Sequence, residues 1–423
     1  MKCEDMDVRK HLVALLPLKQ FEETFTALMK VIEHAGVEIT IAGNVKKEEL
    51  EAYPFIRNVL YIPNPELYKE EDGEFFRTLD AYFVENPFSA IINFFEEYVE
   101  LAARITKRFG LNGNSEETAF LTRNKYAMRT ALAAYGLHVP AFIKVGNYDE
   151  FIAAIRRIGF PCVVKPLDGM ASEGVLKLEG EMDFEALYKV ISEENKSIAK
   201  NSISELLVEQ YISGPEISWE AVVSAGKLHI MGITEKMTEE EPFFNEIMHI
   251  HPAQLPEAIE AEIHQAGEKA IKALNIQYGG IHMEARITPK GIYIMEVASR
   301  LGGDAIPTLV GLSKGYDPYG YVFKSGLNEE LVLRQTRNKV AGIRFIQADR
   351  EGVLREAVFD EAVLRGIPGI ITKRIFGRKD EYIARPPKGR TNRLAYITIA
   401  GRSYQEVRER LIQAEKCLKY VIE

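Results

Sequence analysis

Glu284 and Glu296 are twelve positions apart, and the residues between them determine whether they can share one cation. The runs Gly280–Ile287 and Gly291–Val297 have strand character, and Pro289, Lys290 and Gly291 lie at their junction. Proline and glycine at such places fit a short hairpin connection. A hairpin puts the two carboxylates on adjacent strands, where side chains of one face meet. Held that close in a protein interior they repel each other unless a cation lies between them. Hard oxygen ligands of this kind suit magnesium carrying nucleotide phosphates. Arg300 follows four residues later, placed to meet an anion beside the metal.

Two further stretches have nucleotide chemistry within reach. Lys165 ends the apolar run that begins at Phe160, and a loop containing Gly169, Ala171, Ser172 and Gly174 follows. Small residues let backbone N–H groups approach phosphate oxygens, and the Ser172 hydroxyl adds a donor. No Gly-Lys-Ser/Thr closes the loop and a strand-like run comes next, so this is not a P-loop. Taken alone, an ordinary β-turn is an equal reading. The second stretch runs from Glu209 to Glu216. A strand there can offer the backbone groups of Gln210 and Ile212 to an adenine, and Glu216 can accept two hydrogen bonds from a ribose diol. The plainer alternative is a strand with a polar end and a Gly-Pro turn.

The elements that must position these residues alternate. Strand-like runs at His11–Leu18, Val37–Ala42, Val59–Pro63 and Ser89–Phe94 are interleaved with helical spacing at Gln20–His34 and Glu96–Phe109. That pattern predicts an open parallel sheet in a small α/β domain over residues 1–114. It lacks Gly-x-Gly-x-x-Gly after its first strand and so carries no dinucleotide motif. One helix is expected over Glu116–Tyr135, then Phe151–Gly159, the strands Cys162–Pro166 and Gly174–Leu178, and the helix Phe184–Lys196. From Leu206–Tyr211 onward an antiparallel sheet is expected, built from Ile217–Ser224, Lys227–Glu235 and the Glu284/Glu296 hairpin, with Pro256–Leu274 as a helix beneath it. The tail shows strand runs at Val340–Gln347, Ile370–Arg374 and Leu394–Ala400, then a helix over Ser403–Val421.

At 423 residues the chain is too long for one core. A hydrophobic fraction of 46% and a charged fraction of 27% are ordinary for a soluble protein. The net charge of −9 argues against broad nucleic-acid binding. Residues 331–423 nevertheless hold 20 Lys and Arg against 11 Asp and Glu. Most of these form a solvated basic surface; the sharper expectation is that a few close over an anionic site, with Arg374, Arg385 and Arg393 as candidates. Cys3, Cys162 and Cys417 show no metal or redox-pair spacing, and Cys162 reads as a reduced core thiol. No apolar stretch approaches a membrane span and no signal pattern opens the chain, so a cytoplasmic location is expected.

In their order, Lys125, Lys165 with its small-residue loop, Glu209 with Glu216, Glu284 with Glu296, and Arg300 resemble the ATP-grasp superfamily. The resemblance runs from the first domain into the tail. It implies an α/β and α+β multidomain fold: an N-terminal open parallel α/β domain (1–114), a small central lid (115–204), a larger C-terminal α+β domain with an antiparallel sheet (205–330), and a subdomain completing it (331–423). By the same resemblance Lys125 and Lys165 contact nucleotide phosphates, and the loop Asp168–Gly174, with Ser172 and Gly174, is a flap over the γ-phosphate. Glu209, Gln210 and Ile212 border the adenine, Glu216 holds the ribose, and Glu284 and Glu296 hold magnesium, with manganese left open. Many relatives carry Asn two positions after the second glutamate; Ala298 stands there, which puts a second metal ion in doubt.

The stretch from Glu296 to Val310, followed by Gly315–Pro318, is similar to the L-amino-acid ligases, as is Ile233–Lys236 with Pro242–Glu246 and His249–Pro252. Met248 stands where a glycine is common. The activity implied is ATP-dependent activation of an amino-acid carboxylate as an acyl phosphate, then attack by an amine. Arg300 and Lys165 would stabilise the transferring group, and Lys236 would contact carboxylate or phosphate, a solvated lysine being the alternative. Gly302 and Gly303 would hold the substrate carboxylate through backbone N–H groups. Asp304 would meet an ammonium group, with loop capping an equal reading. His282 is a tempting base, though a packed, hydrogen-bonded histidine is favoured two to one. Other readings stay open: transfer to a carrier-protein thiol or a non-peptide amine, a carboxylase or kinase on the same scaffold, or a non-catalytic nucleotide-binding protein. Homodimers are common in the family.

Overall fold

The computed structural model describes residues 11–16, 22–34, 37–51, 53–62, 73–167, 174–198, 205–239, 244–385 and 392–423. The first unit contains β1 (His11–Leu15), α1 (Glu22–His34), β2 (Glu38–Gly43), β3 (Ile56–Tyr61), α2 (Glu74–Glu85), β4 (Ala90–Asn93) and α3 (Val99–Phe109). Its sheet has the order β3-β2-β1-β4, and every pairing is parallel. Strands buried on both faces read as continuous apolar runs, and Leu12 to Leu16 are all fully buried. A short 3-10 turn, Glu96–Tyr98, follows β4 and places the buried Glu96 beyond the carboxyl end of that strand. Ligands of open α/β sheets bind at that edge.

The helix expected over Glu116–Tyr135 is two helices, α4 (Glu116–Arg123) and α5 (Lys125–Ala134). Asn124 has extended backbone angles, and its side chain accepts from Ala127 N–H as the cap of α5. Asparagine competes well for such N–H groups, which is why it breaks the run. The break puts Lys125 at the first position of α5, where its N–H donates to Leu167 O at 2.9 Å.

The central unit continues with β5 (Phe142–Val145), α6 (Tyr148–Ile158), β6 (Cys162–Pro166), β7 (Leu176–Leu178), α7 (Phe184–Ile198) and β8 (Leu206–Gln210). Its sheet order is β5-β8-β6-β7, entirely antiparallel. Cys162 is a buried free thiol in its core, pushed up to about 11 by burial.

An eight-stranded sheet dominates the rest. Its first members are β9 (Glu216–Ser224), β10 (Lys227–Thr238), β11 (Glu246–His251), β12 (Gly279–Thr288) and β13 (Gly291–Ala298), with α8 (Glu257–Ala273) between β11 and β12. Next come α9 (Ile306–Lys314), α10 (Pro318–Gly326) and β14 (Val340–Gln347), then β15 (Gly352–Phe359), α11 (Glu361–Arg365), β16 (Ile370–Ile375), β17 (Tyr382–Ile383), β18 (Arg393–Gly401), α12 (Tyr404–Ala414) and β19 (Leu418–Ile422). The large sheet runs β13-β12-β9-β10-β11-β14-β18-β16, and β17-β15-β19 form a small separate sheet. Trp219 on β9 is wholly buried against α8, with its indole N–H donating to His264 at 2.9 Å.

The terminal helix expected to Val421 stops at Ala414, passes through a 3-10 turn at Glu415–Cys417, and continues as β19. A capping box between Ser403 and Glu406 fixes its start. Among the described residues no helix is long and apolar enough to cross a membrane.

Candidate functional site

The hairpin forms as its turn residues require, and Glu284 pairs across it with Glu296. A bulge after Glu284 shifts the register there. Gly214 lets the entry to β9 pass close to this hairpin: a Cβ at its φ of 147° would lie 2.1 Å from Ile287 O. That approach brings Glu216 against Arg286 on β12, with Nη2 donating to Glu216 at 3.0 Å.

Between the central and large sheets lies a cavity of about 390 Å³. It is lined by Lys125, Lys165, Glu209, Gln210, Ile212 and Glu216 toward the central sheet. Lys236, His282, Glu284, Glu296, Arg300, Gly303, Asp304 and Arg393 line the remainder. Tyr211, Phe244 and Met295 supply apolar wall, and Arg286 lies over the rings of Tyr211 and Phe244 at 5.4 and 5.5 Å. Ser172 and most of the loop from Asp168 lie outside the described residues, as does Phe243; Gly174 is described, in a left-handed conformation with φ 68°.

The charges within the cavity are paired in a definite pattern. Lys236 is buried to 1% side-chain exposure and contacts Glu246, Glu284 and, at 3.5 Å, Glu216. Burial opposes its charge, but the three carboxylates overcome that and hold its ammonium group well above the usual lysine range. The solvated alternative for Lys236 is thereby overturned, and its partners here are the protein's own carboxylates.

His282 is both packed and central. Its Nδ1 meets the buried Glu220 at 2.8 Å and its Nε2 meets Glu284 at 3.2 Å. Burial works to lower its pKa, but Glu220 and then Glu284 bring it to about 9. Doubly hydrogen-bonded and charged, it is a poor base and a good anchor for Glu284. Gly302 leaves it room, since a Cβ there would lie 2.8 Å from His282 Nδ1.

Asp304 binds Arg393 in a bidentate pair, with Nη1 and Nη2 at 2.9 and 2.7 Å. Its loop position shows in a φ of 50°. The Arg393 guanidinium also lies 3.8 Å over the Phe345 ring. Of the three tail arginines, Arg393 lines the cavity, while Arg374 and Arg385 do not; Arg385 instead donates to Asp349 O.

Two groups of three ligand-type side chains lie close enough to hold an ion among the described residues: Glu216 with Glu246 and Glu284, and Glu246 with His249 and Asp304. A basic side chain already sits against each group, Lys236 in the first and Arg393 in the second. Glu296 differs, since among the described residues its ion pair is with Lys125, at 3.3 Å. The donor set of Glu296 and Glu284 is all oxygen and cross-strand paired, which fits magnesium. Ala298 is buried opposite His282 and adds no ligand atom.

On the nucleotide side, Glu209 is held between Lys165 and Arg129, and its nearest Arg129 contact is 3.3 Å. The Gln210 N–H donates to Ala141 O at 2.8 Å, and Ile212 O accepts from Arg286 at 2.7 Å. Arg300 pairs with Glu96, and Glu96 also accepts from Arg123 at 2.8 Å.

Residues 158–308 match the ATP-grasp domain family, and these are the residues that supply Lys165, Glu209, both metal-type glutamates and Arg300. Residues 158–308 are an ATP-grasp domain, and the chain has the ATP-grasp fold. Among curated proteins, an uncharacterized protein of Sinorhizobium fredii is 28% identical over 292 residues, 69% of this chain and 59% of that one. The L-arginine-specific L-amino acid ligase of Bacillus subtilis is 25% identical over 225 residues, 53% of this chain and 54% of that one. The chain spans about half to three-fifths of the length of these relatives. The crystal structure of L-amino acid ligase from Bacillus licheniformis has the same fold, with a TM-score of 0.80, 23% identity, and coverage of 98% of this chain and 99% of that one.

Four residues of this ATP-grasp site carried no role in the sequence reading. Glu96 could have been found as an acidic residue just beyond a parallel strand, and Arg129 as the basic residue one helical turn after Lys125. Glu220 is the one charged residue in the run Ile217–Ser224, itself a sign of a buried partner. Glu246 lay within a quoted motif but without a function, because β11 was not recognised as a strand.

Proposed function

We propose that this chain is an ATP- and magnesium-dependent ligase that joins an amino-acid carboxylate to an amine, here a second amino acid. The observation that carries the proposal is one cavity in which two phosphate-type lysines, Lys125 and Lys165, face two metal-type carboxylates, Glu284 and Glu296, with Arg300 beside them. The fold shared with an L-amino acid ligase and the partial similarity to another support it.

In this reading Lys125 and Lys165 bind the phosphates, and Glu216 and the apolar wall take the nucleoside. Glu284 and Glu296 would hold magnesium, which supplies charge neutralisation of the phosphates when bound. The substrate carboxylate oxygen attacks the γ-phosphorus, the bond to the bridging oxygen breaks, and ADP departs. Arg300 stabilises charge on the transferring group. The amine nitrogen then attacks the acyl carbon, phosphate leaves, and the amine loses a proton as the amide forms. Exclusion of water protects the acyl phosphate from hydrolysis. Gly303 and Asp304 lie on the substrate side, and Asp304 acts there by orienting Arg393, whose guanidinium faces a substrate carboxylate. The four-part division at residues 114, 204 and 330, and action in the cytoplasm, belong to the same proposal.

The test is ADP and phosphate release from ATP and magnesium across the twenty amino acids, singly and in pairs, with mass spectrometry of products. Release that needs a pair, with a dipeptide mass, is the expected result. Release with one amino acid and no dipeptide would replace the acceptor by a carrier thiol or another amine. Silence with every amino acid would overturn the reading.

A further inference from the structure

Arg129 lies behind the cavity rather than on it. Its side chain is 0% exposed, its Nε faces Glu209 at 3.3 Å, and its Nη2 donates to Met295 O. The other Glu209 oxygen holds Lys165, and Lys165 lines the cavity. Three buried charges therefore stand in a row, Arg129, Glu209 and Lys165, with two cations sharing one anion. Without Arg129, Glu209 and Lys165 would form a closed neutral pair, and the lysine would offer little field to a phosphate. With Arg129 present, Glu209 is divided between two cations and the row keeps one net positive charge. Burial, with Arg129 and Lys125 nearby, depresses the Lys165 pKa against the pull of Glu209, as expected where positive charge is in excess. The contact to Met295 O also fixes the residue before Glu296, so one side chain ties α5 to β8 and β13.

We propose that Arg129 is a positioning residue for the nucleotide phosphates, acting through Glu209 to keep the Lys165 charge available at the cavity wall. This rests on the nucleotide-binding part of the reading above. The chemistry recognised is that of a di- or triphosphate, and the nucleoside takes no part in it.

The test compares ADP and adenosine binding to the full chain by calorimetry and ligand-observed NMR, for wild type, Arg129→Met, Arg129→Lys and Arg129→Met combined with Glu209→Gln. Arg129→Met should weaken ADP about tenfold, the scale of one lost charge interaction, and leave adenosine unchanged. The double variant, which removes the unbalanced carboxylate as well, should restore the ratio of ADP to adenosine affinity to within about threefold of wild type, as should the charge-conserving lysine. A merely structural role predicts equal losses for ADP and adenosine and no recovery in the double variant, and that result would overturn the proposal. ADP binding unchanged in Arg129→Met would do the same. If Arg129→Met does not fold, the lysine and double variants decide: weakened ADP in either, with adenosine intact, refutes the charge argument. Wild-type protein that binds no ADP would instead refute the nucleotide reading itself.

Discussion

Glu284 and Glu296 face each other across one hairpin, yet their surroundings differ. Glu284 is held by Lys236 and by a charged His282, and these, against burial, keep its carboxyl well below the usual range. Glu296 and Glu284 are alike in exposure, 23% and 25%, but Lys125 stands 3.3 Å from Glu296 while Lys236 and His282 both contact Glu284, so Glu296 is the carboxylate freer to accept an incoming divalent ion. Glu296→Gln should therefore lower turnover at least about 100-fold, a scale set by loss of metal charge stabilisation. Affinity for ADP without magnesium should stay within about threefold. Activity near wild type would refute the proposed metal role of Glu296. Lys165→Ala removes a cation whose protein partner, Glu209, is already shared with Arg129. It should raise the dissociation constant for ADP by about tenfold or more. Calorimetry giving an unchanged constant would end its phosphate role.

At the scale of elements, legibility followed local pattern. Hairpin β12–β13 was readable because a Pro-Lys-Gly turn and two strand-like runs agree, and the cross-strand pairing of Glu284 with Glu296 follows from it. The parallel sheet was readable from its alternating runs, whereas α2, β11, α9, α10 and β15 were not recognised. β11 and β15 carry several polar or charged residues whose burial depends on neighbours distant in sequence. The break at Asn124 was hidden inside a helical run, since one capping side chain decides it. The Lys236 cage was illegible for a related reason: β9, β11 and β12 each supply one carboxylate, and only sheet order brings them together. The Gly302-Gly303 pair tests how tightly these elements are packed. A Cβ at Gly302 would press on His282 Nδ1 at 2.8 Å and Glu220 Oε2 at 3.2 Å, whereas one at Gly303 meets nothing within 4 Å. Gly302→Ala should cost about 1–3 kcal/mol by urea unfolding, the range for overpacking, and Gly303→Ala well under about 1 kcal/mol. Equal costs at both positions would refute the packing argument around His282.

Across the whole molecule, Glu96 joins parts of the chain that are far apart in sequence. It follows the last strand of the parallel sheet, accepts from Arg123 at the end of α4, and pairs with Arg300 beyond β13. The cores support the same join, since Tyr319, Val322 and Phe323 of α10 pack in one cluster with the residues of the parallel sheet. The first unit is thus part of the site's framework, and the ionisation of Glu96 reports on it. Burial alone would raise its carboxyl, but Arg300 and then Arg123 outweigh burial and hold it at about 2, against 4.5 for an ordinary glutamate. A depressed carboxyl contributes stability above its unfolded value and loses that contribution as pH falls through its folded value. The window is therefore pH 4.5 down to 2. In urea titrations the stability advantage of wild type over Glu96→Gln should be constant from about pH 7 to 5 and shrink by about 2 kcal/mol by pH 3. If the gap stays constant to pH 3, Glu96 is not charged against Arg300 in the folded protein, and the electrostatic link between the first unit and Arg300 fails.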